Sequence, residues 1–517
     1  MNLPIRGGYQ LLLCFIFGAI GVLGLAPFRL SFFSTLALMG FFLFTIYSPS
    51  PKRSALHGCA WGLGYFIATT HWTYLSLVDH GGMPAWLGAL AVFLFSGYLA
   101  LFPALASYLS RKLPLPVAIQ LIMAAPAIWT LSEWLRGTLF TGFPWAAVGY
   151  SQAPTGLLSP WFPLAGVYGV GYLLAVFAAC VVWIAANLWG KNRKGIATSA
   201  LVTAASCTIV ILISQFLSTI EWTRPFGKPL HVSLVQGAIA QDLKWDPKRF
   251  NDTLARYLQL THQAQGRLVV LPETAFPVFL EELPKEYLEA LTKTPKARGA
   301  DLLIGAARKN TEARGYFNSA ILISENNLPH YNKQHLVPFG EFIPMKWAIG
   351  WIYRSMLNMP LDDFSAGSKT QPAMMVADQR LMPNICYEDV FGEEIAAVSA
   401  NATILVNLSN LAWFDGSIAL EQHGQISQAR TLETGKPMIR ATNSGMTVAI
   451  DQHGHYQGRL PERIPAILES EVQGRAGLTP YLHLKNLPIL AWCLLMLGLG
   501  YIRTYAKRLP GKTSHTI

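Results

Sequence analysis

The chain has 517 residues, 52% hydrophobic and only 13% charged, with a formal net charge of +11. That is too apolar for an ordinary soluble protein, and its centre is too polar for a pure membrane bundle. Residues 1–218 carry 10 basic and 2 acidic side chains, residues 486–517 carry 4 basic and none acidic, and the middle is nearly balanced at 26 against 27. The basic excess belongs to the apolar parts, so it reads as a membrane-topology signal and not as a nucleic-acid footprint.

A membrane span needs roughly 20 mostly apolar residues. Such runs lie near 10–28, 30–48, 56–78, 86–110, 115–135, 163–188, 196–218 and 486–505. The expected organisation is a seven-span domain over 1–218, a soluble domain over 219–485, and an eighth span with a basic tail over 486–517. Alternate loops carry 12 basic residues, among them Lys52, Arg53, Arg111, Lys112 and Arg503, against only Arg29 and Arg136 in the others. The positive-inside rule then puts both termini in the cytoplasm and the large domain across the membrane, in the periplasm of a bacterium. The first run has a basic start but no small-x-small cleavage site after it, and reads as a retained span. The aromatic stretch 136–162, with Phe143, Trp145, Tyr150 and Trp161, reads as an interfacial segment along the membrane surface. Glu133 and Arg136, three apart in an apolar run, read as a structural pair.

Within 219–485 short apolar strands alternate with amphipathic helices. Strands are expected at 231–237, 267–272, 301–307, 317–323, 380–386, 402–408, 437–441 and 446–451. Helices are expected at 247–265, 283–295, 390–400 and 419–435. This is an α/β pattern of sheets covered by helices. Five of the six cysteines lie in apolar runs, no C-x-x-C occurs, and no His pair has metal spacing, so neither a metal nor a cofactor is expected. A monomer is the default expectation.

Cys386 is the one cysteine of the soluble stretch. A strand feeding a helix from about 390 places it near a helix start, where a thiol is acidified and backbone N–H groups can hold an oxyanion. On position alone an inert core cysteine is the simpler reading. Glu273 ends the apolar run Leu268-Val269-Val270-Leu271-Pro272, a good setting for a general base, or for a solvent-facing loop carboxylate. Lys333 offers a fixed positive charge for an oxyanion, or is a surface lysine. Glu341 and Glu388 flank these motifs as orienting groups or as structural ion-pair partners.

Together these segments resemble the nitrilase (carbon–nitrogen hydrolase) superfamily, whose catalytic set is Glu-Lys-Cys in chain order. Here the order is Glu273, Lys333, Cys386, at intervals of 60 and 53 residues. The resemblance implies an α-β-β-α sandwich. With the apolar runs added, the chain resembles the apolipoprotein N-acyltransferase family. The stretches that carry this include Val235-Gln236-Gly237, Lys244-Trp245-Asp246, Cys386-Tyr387-Glu388, Asn407-Leu408-Ser409-Asn410, Arg440 to Gly445, Glu133-Trp134-Leu135-Arg136-Gly137 and Gly142-Phe143-Pro144-Trp145. One departure is visible. The family commonly has Asn-Asp-Ala-Trp-Phe-Gly, whereas this chain has Asn410-Leu411-Ala412-Trp413-Phe414-Asp415-Gly416.

The resemblance implies a ping-pong reaction. Cys386 attacks the sn-1 ester of a phospholipid, phosphatidylethanolamine by expectation, and keeps the acyl group as a thioester. The α-amino group of a diacylglyceryl-cysteine at an apolipoprotein N-terminus then takes it. Glu273 moves the protons, Lys333 holds the oxyanion, and Glu341, Glu388 and Tyr387 support. Lipid contacts are expected at Trp245, Trp145, Phe143, Trp347, Trp351, Trp413 and Phe414, with 345–361 as a lid. The alternative is a membrane-anchored amidase or nitrilase acting on a small amide. Eight spans are more than an anchor requires, which favours lipid.

Overall fold

The structure is a computed structural model that describes residues 7–310, 315–324, 328–344, 346–347 and 364–506. The expected lid over 345–361, Trp351 included, lies outside these residues apart from 346–347. The chain forms two compact units. One comprises the residues up to 71, 92–219 and 486 onward; the other comprises 72–91 and 220–485.

Among the described residues, five helices are long and apolar enough to cross a membrane: Ala85–Lys112, Val117–Arg136, Ser159–Trp189, Arg193–Leu217 and Leu487–Thr504. Gly8–Gly24 and Phe32–Ile46 are apolar but shorter. The helix Pro51–Thr70 has 20 residues, opened by the Ser50 side chain accepting from the Arg53 N–H and by proline in its first turn. The third apolar run was expected to extend to 78, but its helix stops at Thr70 and the segment from Trp72 packs in the other unit. There the Trp72 indole donates to Gln422 at 3.3 Å and its ring meets Phe414 edge-on at 4.8 Å, while His80 meets Trp413 at 5.8 Å. An indole that needs a hydrogen-bond partner finds one there.

The 136–162 stretch also departs from expectation. It is not an interfacial surface segment: from Gly142 to Pro154 nearly every residue is buried in the helical unit. The reason is the buried pair Glu133–Arg136, 3.7 Å apart. Arg136 donates to the carbonyls of Phe143 and Trp145, and Glu133 accepts the Val148 N–H at 3.0 Å. Two charges that cannot reach water draw backbone polar groups inward to satisfy them.

The second unit is an α-β-β-α sandwich of two six-stranded sheets. The first sheet runs Ala466–Val472, Leu230–Gln236, Leu268–Val270, Asp301–Lys309, Tyr316–Ile323, His330–Asn332. The second runs Tyr456–Arg459, Val448–Ile450, Met438–Thr442, Ile404–Ser409, Gln379–Ile385, Met374–Val376. Side chains alternate across each strand. Leu268 and Val270 enter the core shared by both sheets, and Val269 between them faces the outer helices Phe250–Gln263 and Lys285–Ala297. The helices Gly392–Ser399 and Ala419–Thr434 belong to the second sheet's side. In each sheet three neighbouring strands are parallel, and Glu273 and Cys386 follow the carboxyl ends of two of them.

Gly305 shows how tightly the first sheet supports the Glu273 loop. Its carbonyl accepts the Ala275 N–H at 2.9 Å, and a Cβ at Gly305 would lie 2.6 Å from Glu273 Cα and against the Pro272 carbonyl. Backbone cannot yield as a side-chain tip can. Gly305→Ala is expected to destabilise the protein by about 1–3 kcal/mol and to lower turnover with the thiol still alkylatable. Unfolding midpoints and activity of the purified variant check this.

Candidate active site

Three segments of the sandwich converge. Glu273 follows the strand Leu268–Val270 and is only 7% exposed. Its Oε1 accepts Asn318 Nδ2 at 2.7 Å, and its Oε2 accepts the Asn410 backbone N–H at 2.8 Å. Lys333 follows the strand His330–Asn332 and is 1% exposed. Its Nζ donates to Glu341 Oε1 at 2.8 Å and lies 3.7 Å from Glu273 Oε1. Asn318 Nδ2 reaches Glu341 as well, at 3.1 Å, so one amide spaces both carboxylates around the ammonium.

Cys386 sits where the strand Gln379–Ile385 turns into the short 3₁₀ helix Cys386–Val390. Its φ is 53°, a left-handed conformation that costs a non-glycine residue roughly 1–3 kcal/mol. Glu388 and Asp389 hold this turn. Glu388 Oε2 accepts the Ile385 N–H at 2.6 Å, and its Oε1 accepts Tyr331 Oη at 2.9 Å and the Gln334 N–H at 2.7 Å. It therefore staples the Lys333 segment to the Cys386 turn. Asp389 receives Arg440 Nη1 at 2.7 Å, His423 Nε2 at 2.6 Å and Ser427 Oγ at 2.5 Å, all buried. Asn407 Nδ2 donates to the Cys386 carbonyl at 3.1 Å.

The electrostatics follow from burial and sign. Burial works to lower Lys333, but Glu341, Glu273 and Cys386 together outweigh it and hold the ammonium above its ordinary value. Burial, then the charge of Glu273, pushes the Cys386 thiol up, with Lys333 pulling against them. At rest the thiol form of Cys386 is therefore favoured over the thiolate. Burial would raise Asp389, but His423 and Arg440 outweigh it and hold the carboxyl low. Burial raises Glu388 to about 7 against the pull of the Ile385 N–H and Lys333.

The remaining expected residues are scattered. Glu341 and Glu388 contact the site as described. Tyr387 packs edge-on to Phe391 at 5.1 Å and toward His335 at 6.1 Å. Trp245 is 57% and Trp347 87% exposed, while Trp413 and Phe414 are half-buried under His80 and Trp72. Trp145 is buried in the helical unit, and Phe143 lies beside Phe95 there at 5.0 Å. The 410–416 loop is held by contacts of its own. Leu411 joins an apolar cluster with Leu420, Met446, Val448 and Ile450, and Asp415 accepts Ser444 Oγ at 2.6 Å with Arg463 at 3.8 Å. Sequence reasoning missed Asn318 and Asp389. A lone amide inside Tyr-Phe-Asn-Ser-Ala-Ile-Leu-Ile was the available signal for the first; nothing local marked the second.

Two family profiles divide the chain: one described as apolipoprotein N-acyltransferase N-terminal domain matches residues 17–180, and one described as carbon-nitrogen hydrolase matches 231–481. An apolipoprotein N-acyltransferase of Chromobacterium violaceum is 42% identical over 504 residues, covering 97% of this chain and 96% of that one. That of Nitrosomonas europaea is 42% identical over 503 residues, covering 97% and 99%. The chain belongs to the apolipoprotein N-acyltransferase family. A Neisseria meningitidis serogroup B member, 35% identical over 439 residues, covers 84% of each chain. An acyltransferase is here built on the carbon–nitrogen hydrolase fold.

Glu388 gives the site a pH signature. Its folded pKa, about 7, is above the ordinary 4.5, so the folded state favours the protonated form. The stability this contributes is full below about pH 4.5 and is lost as pH rises through about 7. Wild type should therefore lose stability relative to Glu388→Gln across that window. Unfolding midpoints measured in parallel check this, and a pH-independent difference would contradict it.

Proposed function

We propose that this enzyme transfers an acyl chain from a phospholipid to the N-terminal amine of a diacylated apolipoprotein through a thioester on Cys386. The observation that carries the reading is the buried Glu273–Lys333–Glu341 cluster electrostatically coupled to a thiol on a strained turn, in a chain with a large apolar helical unit. Glu273 takes the Cys386 proton as sulfur attacks the sn-1 ester carbonyl, by expectation that of phosphatidylethanolamine. The carbonyl electrons move onto oxygen, where Lys333 and nearby backbone N–H groups oppose the charge. Collapse breaks the ester C–O bond, and the departing glycerol oxygen recovers the proton from Glu273. A lysophospholipid leaves and the acyl group stays on sulfur.

In the second half the α-amino group of the diacylglyceryl-cysteine attacks the thioester carbonyl. Glu273 accepts a proton from nitrogen, collapse breaks the C–S bond, and the proton returns to sulfur. An amide and free Cys386 result. The helical unit supports a bilayer location, and the charge bias of its loops supports cytoplasmic termini with the sandwich in the periplasm of a bacterium. Exposed Trp245 and Trp347, with Trp413 and Phe414, are the aromatic groups of the catalytic unit proposed to meet lipid. The working unit is proposed to be a monomer.

Incubation of the purified protein with phosphatidylethanolamine should give a hydroxylamine-labile acyl mass adduct, absent from Cys386→Ala. Glu273→Gln should slow its formation by about 10²–10⁴-fold. A diacylated lipopeptide should then discharge the adduct into an amide. A folded wild-type protein that never acquires the adduct would overturn the reading.

A further inference from the structure

Among the described residues of the catalytic unit, the buried charges are paired or capped, with one exception. Asp389 faces Arg440 at 2.7 Å, Glu433 faces Arg430 at 3.0 Å, and Asp301 faces Arg267 at 2.6 Å. Lys436 is capped by the Ala402 carbonyl. The exception is Lys244, a residue 3% exposed, whose ammonium makes no hydrogen bond or contact ion pair with any described residue. Nζ itself keeps contact with solvent, so an anion can reach it, and the charge that acts on it, that of Glu273, lies beyond contact distance.

Its location identifies the site. Lys244 ends the one-turn helix Gln241–Lys244, between exposed Leu243 and Trp245. Gln241 Oε1 accepts Asn410 Nδ2 at 2.9 Å, and the Asn410 backbone N–H is the one that holds Glu273 Oε2. The turn that carries Lys244 is therefore fastened to the loop that positions Glu273. Burial lowers the Lys244 ammonium to about 8, and the charge of Glu273 opposes that fall without forming a contact pair. A second cation thus sits beside the Glu273–Lys333 cluster, and Lys333 is already held by Glu341.

We propose that Lys244 binds the phosphodiester of the acyl donor and so selects a phospholipid over a neutral ester. The inference rests on the acyl-carrier reading above. The donor's phosphate is joined through one glycerol to the ester that reacts at Cys386. The acceptor's reacting end is an amine, which a lysine repels whenever it is protonated. The anion that completes Lys244 therefore belongs to the donor half-reaction.

The test is single-turnover acylation of Cys386, read by intact mass, with two donors: phosphatidylethanolamine and the phosphate-free p-nitrophenyl palmitate. Lys244→Met fills the site without charge, and Lys244→Arg keeps the charge. Lys244→Met should slow acylation by phosphatidylethanolamine by about tenfold to a hundredfold and leave p-nitrophenyl palmitate within about twofold of wild type. Lys244→Arg should recover part of the phospholipid rate. Equal loss with both donors would overturn the proposal and make Lys244 a charge balance for Glu273 or a fold element. Unchanged rates with both would overturn it too. A wild-type protein acylated by p-nitrophenyl palmitate but not by phosphatidylethanolamine would remove the phospholipid-donor reading, and this inference with it. A wild type acylated by neither would remove the acyl carrier altogether.

Discussion

The catalytic unit is organised around one buried ammonium. Lys333 is almost wholly removed from water, which by itself is expensive, and it is tolerated because Glu341 and Glu273 approach it from two sides. The carboxylates repel one another, so each needs its own fixed donors. Asn318 supplies both of them, and the Asn410 backbone supplies the second oxygen of Glu273. These contacts tie together three strands and a loop that lies 137 residues from Glu273 in sequence. Removing the ammonium would leave two buried carboxylates facing each other without compensation.

Placing a thiol beside this cluster takes a sharp turn, and Cys386 adopts positive φ to make it. That strain persists because Glu388 and Asp389, two and three residues on, are over-determined by their partners. Glu388 reaches across to Tyr331 and Gln334 of the first sheet's edge, and Asp389 reaches to Arg440 and His423 on the second sheet's side. Burial and the charge of Glu273 favour the protonated form of this thiol. Under the proposed mechanism such a group needs a base to remove its proton, the part proposed for Glu273.

The same rule, that buried polar groups recruit partners, explains where the chain departs from simple reading. Glu133 and Arg136 pull the 142–154 loop into the helical unit, where aromatic content alone pointed to a membrane surface. Trp72 leaves the third apolar run for Gln422 and Phe414. Asp415 engages Ser444, and Asn410 of the same loop donates its backbone N–H to Glu273.

The amino-acid pattern by itself determined the sandwich's interior. All eight expected strands form, and each is an inner strand whose two faces are both apolar enough to read. The four unforeseen strands of the two sheets, His330–Asn332, Met374–Val376, Tyr456–Arg459 and Ala466–Val472, are their four edges. An edge strand has one neighbour and a wetter outer face, so its apolar signal is weak, and its pairing is fixed by residues far away in the chain. Glu273, Lys333 and Cys386 were legible as residue types at strand ends in a familiar order. Their mutual distances, the amide of Asn318 between two carboxylates, the anchoring of Asp389 and the solitary charge of Lys244 were not. Those depend on which strand ends the two sheets bring together, and burial and charge pairing are properties of that packing, with no local sequence signature.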